Sequence, residues 1–327
     1  MPVTPAPGII PPVIALIGAP FDLCGLRLGS RLGPAALRLA GLSEALTALD
    51  LPLSDRGDIP VSFRDSEHGG MRHFLPLLMA MTNLKAEVET ALAEGSTPVV
   101  LGGEHTLAAA SVAAALNASE GDLAILWIDA HADVNTPGSS ETGNIHGMPI
   151  AALMGLPSET EGDQDDDWRT LLELLGPRRL SSNHAAWYGL RDVDPAEVPH
   201  LNGLPITMHE VDRHGIEATV ARFDAWMRGT GTKNLWISFD VDALDPILAP
   251  GTGTAVRGGL SYREAHLMAE LLHEHLSAPD CPYRLMGVDL VETNPLYDTE
   301  NATAKMAVEW IASLFGKRIL GKVDRLS

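Results

Sequence analysis

An α/β fold organised on an open parallel sheet is predicted by three features of the chain. Short apolar runs recur along it, each run ends in a turn rich in Gly, Pro or Asp, and helix-forming stretches lie between them. The composition agrees: aromatics are 5% of the 327 residues while Ala, Leu and Gly are plentiful, which favours α/β packing over an all-β sandwich. With 45% apolar residues the chain can bury a large core. It shows no internal repeat and no dividing linker, so residues 1–327 are expected to form a single domain.

After a Pro-rich leader (1–12), Val13 to Ile17 reads as a buried strand ending at Gly18. Gly33-Pro34 then opens a helix that Gly41 can terminate. Residues 51–72 are polar and punctuated by Pro and Gly, which predicts a surface excursion with His68 and His73 solvated. A long helix is expected from Phe74 to Ala93, followed by strands at Thr97–Leu101 and Leu123–Ile128. Residues 156–183 carry Glu159, Glu161, Asp163, Asp165, Asp166 and Asp167, and read as a solvated acidic insertion leading into a helix from Trp168. Further strands are expected at Ala185–Gly189, Pro205–Met208, Leu235–Phe239 and Arg284–Leu290. Ser261 and Glu264 form a capping box ahead of a helix, and a last helix spans about Asn301 to Phe315.

Charge and cysteine content narrow the partners. A net charge of −20 argues against nucleic acid, whose phosphates need clustered Lys and Arg. It is compatible with a cationic small molecule. Only Cys24 and Cys281 are present, so no disulfide framework is possible, in keeping with a cytoplasmic protein. No run approaches the ~20 apolar residues of a membrane span, and the Pro-broken start lacks the basic region of a signal peptide.

The chemistry concentrates at strand ends. Asp129, His131 and Asp133 follow the Leu123–Ile128 run at every second position, and an extended backbone would put them on one face. Asp240 and Asp242 end the Leu235–Phe239 run in the same way, and Gly102-Gly103 hold His105 at the end of a third. These are the places where an open parallel sheet binds its ligand. Each aspartate group alone could be a set of turn residues capping helices, but their coincidence with His105 favours a metal site. Four carboxylates exceed the needs of one ion, whereas two divalent cations balance them. Oxygen-dominated ligands with one or two imidazoles point to manganese rather than structural zinc. Two such ions roughly 3.5–4 Å apart activate a shared water for hydrolysis. His146 would serve as the acid/base beside them, and Glu292 could pair with a guanidinium or ammonium.

At these residues the sequence resembles the ureohydrolases, arginases among them. The matching segments are GGEHT at 102–106, WIDAHADVNTP at 127–137, GNIHGMP at 143–149, GLRDVDP at 189–195, SFDVDALDP at 238–246, PGTGT at 250–254, GGLSYRE at 258–264 and VETNP at 291–295. The resemblance implies a three-layer αβα fold with a parallel sheet of about eight strands. It also implies two Mn²⁺ per subunit and hydrolysis of L-arginine to L-ornithine and urea. One metal would take His105, Asp129, Asp133 and Asp240; the other would take Asp129, His131, Asp240 and Asp242. His146 and Glu292 match the catalytic positions, joined by the ligand Asp133. Asn135, Ser140 and Thr142 fall where the substrate α-carboxylate is bound, with Asn144 also counted among the substrate-binding residues. Asp194 falls where the α-amino group is bound, and Thr254 lies near the guanidinium. A homotrimer or homohexamer is implied.

The chain departs from the family pattern in a few places. Glu104 and Thr106 stand where Asp and Ser are commoner, and Thr142 keeps the hydroxyl of a usual Ser. An agmatinase or other guanidino-acid hydrolase is the nearest rival, sharing the metals and separated by the amino-acid end of the substrate. A single-zinc deacetylase on a related fold and a catalytically silent scaffold are more distant ones.

Overall fold

The computed structural model describes residues 12–63 and 70–319. The first eleven residues of the Pro-rich leader, together with His68, lie outside the described residues. The strands are β1 (Ile14–Ala19), β2 (Leu53–Asp58), β3 (Thr97–Gly102), β4 (Ala124–Ile128), β5 (Ala185–Leu190), β6 (Leu204–Thr207), β7 (Asn234–Asp240) and β8 (Arg284–Val291). They form one parallel sheet in the order β2-β1-β3-β8-β7-β4-β5-β6. The helices are α1 (Gly33–Leu39), α2 (Leu42–Thr47), α3 (Phe74–Ala93), α4 (Leu107–Ala118), α5 (Pro149–Met154), α6 (Asp163–Leu175), α7 (Met208–Thr230), α8 (Tyr262–Leu276) and α9 (Ala302–Leu314).

Period-two alternation along the strands divides the core into two layers. Ile125 and Trp127 of β4 pack into one layer with α3, α4, α5 and α6. Ala124, Leu126 and Ile128 pack into the other with α1, α2, α7, α8 and α9. The central strands are buried on both faces, which is why they read as continuous apolar runs. Helix α4 is buried at every position from Leu107 to Leu116. Its six alanines in that stretch allow close approach to the sheet while keeping high helix propensity.

Two elements differ from the sequence expectation. Residues 51–72 contain the edge strand β2, whose sequence LSDRGD has no apolar periodicity because its residues are largely exposed. It pairs with β1 and is tied to α1 by Arg38, which donates to both carboxylate oxygens of Asp55 at 2.7 and 2.8 Å and to Asp58 at 2.6 Å. Polar edge strands of this kind discourage sheet-to-sheet aggregation. In the acidic segment, α6 begins at Asp163, before Trp168, so Asp163, Asp165 and Asp166 occupy its first turn, where the helix dipole favours negative charge. Trp168, Leu171 and Leu175 pack into the core, so this part of the segment is structural as well as solvated.

The capping expectations hold. Gly41 and Gly95 take left-handed backbone angles after their helices, and Ser261 and Glu264 cap α8 reciprocally. His266 and His273 of α8 bind Ser313 Oγ and Leu314 O, both at 3.0 Å, tying α8 to α9. Exposed His209 and His214 lie on α7, which starts at Met208 and bends at Gly215. Among the described residues, no helix is long and apolar enough to cross a membrane.

The end of β3 is locked to the end of β1. Gly103 N donates to Ala19 O at 3.1 Å, and Glu104 N donates to Phe21 O at 3.0 Å. A Cβ at Gly103 would lie 2.2 Å from Phe21 O and 2.3 Å from Phe21 N, both of them backbone atoms. Gly103→Ala is therefore expected to cost about 1–3 kcal/mol through overpacking. A urea titration with a lowered midpoint and unchanged slope would show it; an unchanged midpoint would refute it.

Candidate active site

β3, β8, β7, β4 and β5 are neighbours in the sheet, and their carboxyl ends bring the singled-out residues, apart from the deeper Asp129 and Asp242, to the lining of one cleft of about 240 Å³. The route differs from simple strand alternation. β4 ends at Ile128, and the chain then turns through Asp129 to Asp133, where Asp133 has a left-handed φ of 54°. The turn is held from several directions. Asp129 N donates to Tyr188 O at 3.0 Å, Ala130 N to Asp242 Oδ1 at 3.1 Å, and Trp187 Nε1 to Ala132 O at 2.9 Å. Asp240 is the last residue of β7, and Asp242 lies in the 3₁₀ turn Val241–Ala243. Asp240 Oδ1 accepts from Asp242 N at 2.7 Å, so this aspartate caps a turn and faces the cluster as well.

Two sets of potential ligands result, His105 with Asp129 and Asp240, and Asp129 with His131 and Asp242. His105 Nδ1 lies 3.0 Å from Asp129 Oδ2, 3.1 Å from Asp133 Oδ2 and 3.2 Å from Asp240 Oδ2. His131 Nδ1 lies 3.2 Å from Asp129 Oδ1 and 3.1 Å from Asp242 Oδ2. Asp129 thus offers one oxygen to each set.

The electrostatics call for added positive charge. Burial, then repulsion by neighbouring carboxylates, pushes Asp240 well above the usual range and also raises Asp133 and Asp242. Burial would raise Asp129 too, but His105 and His131 hold it down. Burial opposes the charged form of both imidazoles, yet the carboxylates around them push both upward. His105 Nδ1 and Asp129 Oδ2 are buried with no hydrogen-bond partner although they face each other. Orphaned atoms converging on one point fit a divalent cation, and the oxygen-rich set with imidazole suits a hard-to-borderline ion.

His105 is oriented from behind. Its ring stacks on Trp127 with centroids 3.9 Å apart and planes 5° apart, and its Nε2 is 2.8 Å from Ser238 Oγ. Nearby, the buried Asp289 accepts from Trp236 Nε1 at 2.8 Å and from Ser111 Oγ at 3.0 Å. Burial pushes Asp289 up to about 6. Sequence reading missed Ser238 and Asp289. Their signal was a polar residue inside an otherwise apolar strand.

The rest of the cleft surrounds this cluster. Glu292 has a left-handed φ of 61°. Its N donates to Gly103 O at 2.8 Å, and its Oε1 accepts from His105 N at 2.9 Å. His146 Nδ1 stands 3.5 Å from Glu292 Oε1. Burial works against its charged form, but Glu292 outweighs it and pushes the imidazole up to about 9. Thr254 Oγ1 donates to Asp242 Oδ2 at 2.8 Å.

Elsewhere in the cleft Asn135 Nδ2 donates to Asp194 Oδ2 at 2.9 Å, and Asn135 Oδ1 accepts from Ser139 Oγ at 2.8 Å. Ser140, Thr142 and Asn144 also line the cleft. Glu197, also missed, receives Val134 N at 2.8 Å and Asp194 N at 2.9 Å, and burial pushes it up to about 7. Nothing in the sequence around Glu197 marks it beyond its nearness to Asp194. Glu104 is buried, and burial pushes it up to about 7. It accepts from Cys24 N at 3.2 Å and from Thr106 Oγ1.

An all-parallel sheet with clustered His and Asp at its carboxyl edge points to a metal-dependent hydrolase. The arginase family model matches residues 13–316, and the chain belongs to the arginase family. It is 38% identical to arginase from Staphylococcus aureus (strain MRSA252), over 94% of this chain and 98% of that one. It is 36% identical to arginase from Bacillus caldovelox, over 94% and 99%. The native structure of the Bacillus caldovelox arginase at pH 5.6 superposes with a TM-score of 0.83, 35% identity and coverage of 95% and 100%.

Ser238→Ala removes the partner of His105 Nε2 without touching a candidate ligand. It is expected to weaken metal binding about 10–100-fold, as loss of an orienting hydrogen bond does. Competition with a chelating indicator measures this. Unchanged affinity would mean that the Trp127 stack alone orients His105.

Proposed function

We propose that this protein hydrolyses the guanidinium group of L-arginine to L-ornithine and urea, with two Mn²⁺ per subunit. The observation that carries the reading is the pair of ligand sets sharing Asp129, beside a cleft that Asn135, Ser140, Thr142, Asn144 and Asp194 also line. In this reading His105, Asp129, Asp133 and Asp240 hold one ion, and Asp129, His131, Asp240 and Asp242 hold the other. The ions when bound would make an attacking water acidic and offset the charge that develops as it adds.

The chain's own residues do the rest. Glu292, fixed by the His105 amide, keeps Oε2 for the guanidinium, and Gly253 leaves room there, since a Cβ would lie 3.7 Å from that oxygen. Carboxylate and guanidinium match in geometry. His146 beside it holds a proton for the departing amine. At the far end Asp194 takes the α-amino group, while Asn135, Ser140, Thr142 and Asn144 supply hydrogen bonds for the α-carboxylate. Thr254 steadies Asp242. A single domain assembled as a homotrimer or homohexamer in the cytoplasm belongs to the same proposal.

Manganese-loaded protein is expected to release equal amounts of urea and ornithine from L-arginine and little product from agmatine, which lacks the carboxylate. Chelation should abolish turnover and Mn²⁺ should restore it. A preference for agmatine would overturn the arginine assignment. Asp194→Ala is expected to raise KM for arginine about tenfold or more, the cost of one charged hydrogen bond. Elemental analysis should still find two metals per chain. Unchanged kinetics would remove Asp194 from the substrate site.

A further inference from the structure

We propose that Arg72 is a specificity-determining positioning residue, which acts through Asn144 to prepare the cleft for a substrate carboxylate. This inference rests on the amino-acid-substrate reading above. Arg72 Nη1 donates to Asn144 Oδ1 at 2.8 Å and to Thr142 O at 3.3 Å. A guanidinium has donors only, so the amide atom facing it must be oxygen. That settles which way the Asn144 amide points. The Nδ2 donors remain for the cleft, which Asn144 lines, and a cleft facing N–H donors favours an anionic group. Without Arg72 the amide is free to turn over and present its oxygen, which repels a carboxylate.

The loop wraps around this guanidinium group. Gly143 has a φ of 67°, and a Cβ there would lie 3.8 Å from Arg72 Cδ. Gly143 N donates to Ser140 Oγ at 3.1 Å and Asn144 N to Thr142 Oγ1 at 3.2 Å, so the segment Arg72 grips is itself internally braced. Arg72 is in turn held in place by the acidic segment. Met71 N donates to Asp167 Oδ2 at 2.7 Å within the core, and a Cβ on Gly70 would lie 1.9 Å from the same oxygen. Further along the substrate loop, Gly138 N donates to Ser158 O at 2.8 Å and Thr136 Oγ1 to Glu159 Oε2 at 3.0 Å. The 158–167 stretch therefore buttresses the loop at one end directly and at the other through Arg72.

The test is steady-state kinetics on the Mn²⁺-loaded enzyme with L-arginine, together with a double-mutant cycle. Arg72→Met is expected to raise KM about tenfold while kcat falls less than about threefold, the split expected when ground-state binding is lost. Arg72→Lys keeps a donor for Asn144 Oδ1 and should restore KM to within about threefold of wild type. In an Asn144→Ala background, Arg72→Met should change KM less than about twofold. Wild-type KM in Arg72→Met, or full additivity in the cycle, would overturn the proposal while leaving the arginine reading standing. Failure of the wild type to turn over arginine would overturn both. Should Arg72→Met not fold, Arg72→Lys against the acceptor-only Arg72→Glu provides the same comparison, and equal KM values in those two would refute the role.

Discussion

The site depends on a charge problem. Asp129, Asp133, Asp240 and Asp242 are all buried at one sheet edge, faced directly by the imidazoles of His105 and His131. Burying a carboxylate without a partner costs several kcal/mol, and here four share a few ångströms. Protonation relieves part of this, which is what the upward shifts of Asp133, Asp240 and Asp242 represent. Divalent cations relieve it more fully and leave the ligands ionised. The fold around the cluster is arranged to bear such a charge density. Its strand ends are fixed by backbone hydrogen bonds, and His105 is clamped between Trp127 and Ser238.

The same edge stores backbone strain. Asp133 and Glu292 are neither glycine nor asparagine, yet both hold left-handed angles. Such conformations cost about 1–3 kcal/mol each and persist where the surroundings over-determine them. Asp133 O accepts from Ile150 N at 3.0 Å, which anchors it to the start of α5. Glu292 is pinned through its own amide to Gly103 and through its carboxylate to His105, on either side of Glu104. The strain turns each carboxylate off its strand direction and into the cleft, where an extended backbone would have carried it past.

How much of this was legible in the sequence follows from what each residue answers to. The central strands were readable because burial on both faces makes them apolar throughout, as in AILWI of β4. β2 was not, because an edge strand with exposed side chains has no pattern to read. All six candidate ligands were recognisable by type and position, although the expected mechanism of convergence was too simple. Extended alternation at 129–133 gives way to a turn with a left-handed residue, which depends on Tyr188, Trp187 and Asp242 across the sheet. Ser238, Asp289 and Glu197 escaped because their meaning lies wholly in tertiary contacts.

The acidic segment shows how charge patterning and packing can point in different directions. Its run of carboxylates from Glu159 to Asp167 suggests a solvated loop, and Asp163, Asp165 and Asp166 do lie in the first turn of a helix. One residue further on, Asp167 is buried and receives the Met71 amide, while Ser158 and Glu159 hold the loop at 136–138. The candidate ligands sit at strand ends or just beyond them, where hydrogen bonds from neighbouring strands hold the turns. The loop from Asn135 to Asn144 belongs to no strand and must borrow its rigidity from neighbours. Under the proposed arginine reading, the shape of the cleft along this loop therefore depends on surface segments whose sequences carry no catalytic signature.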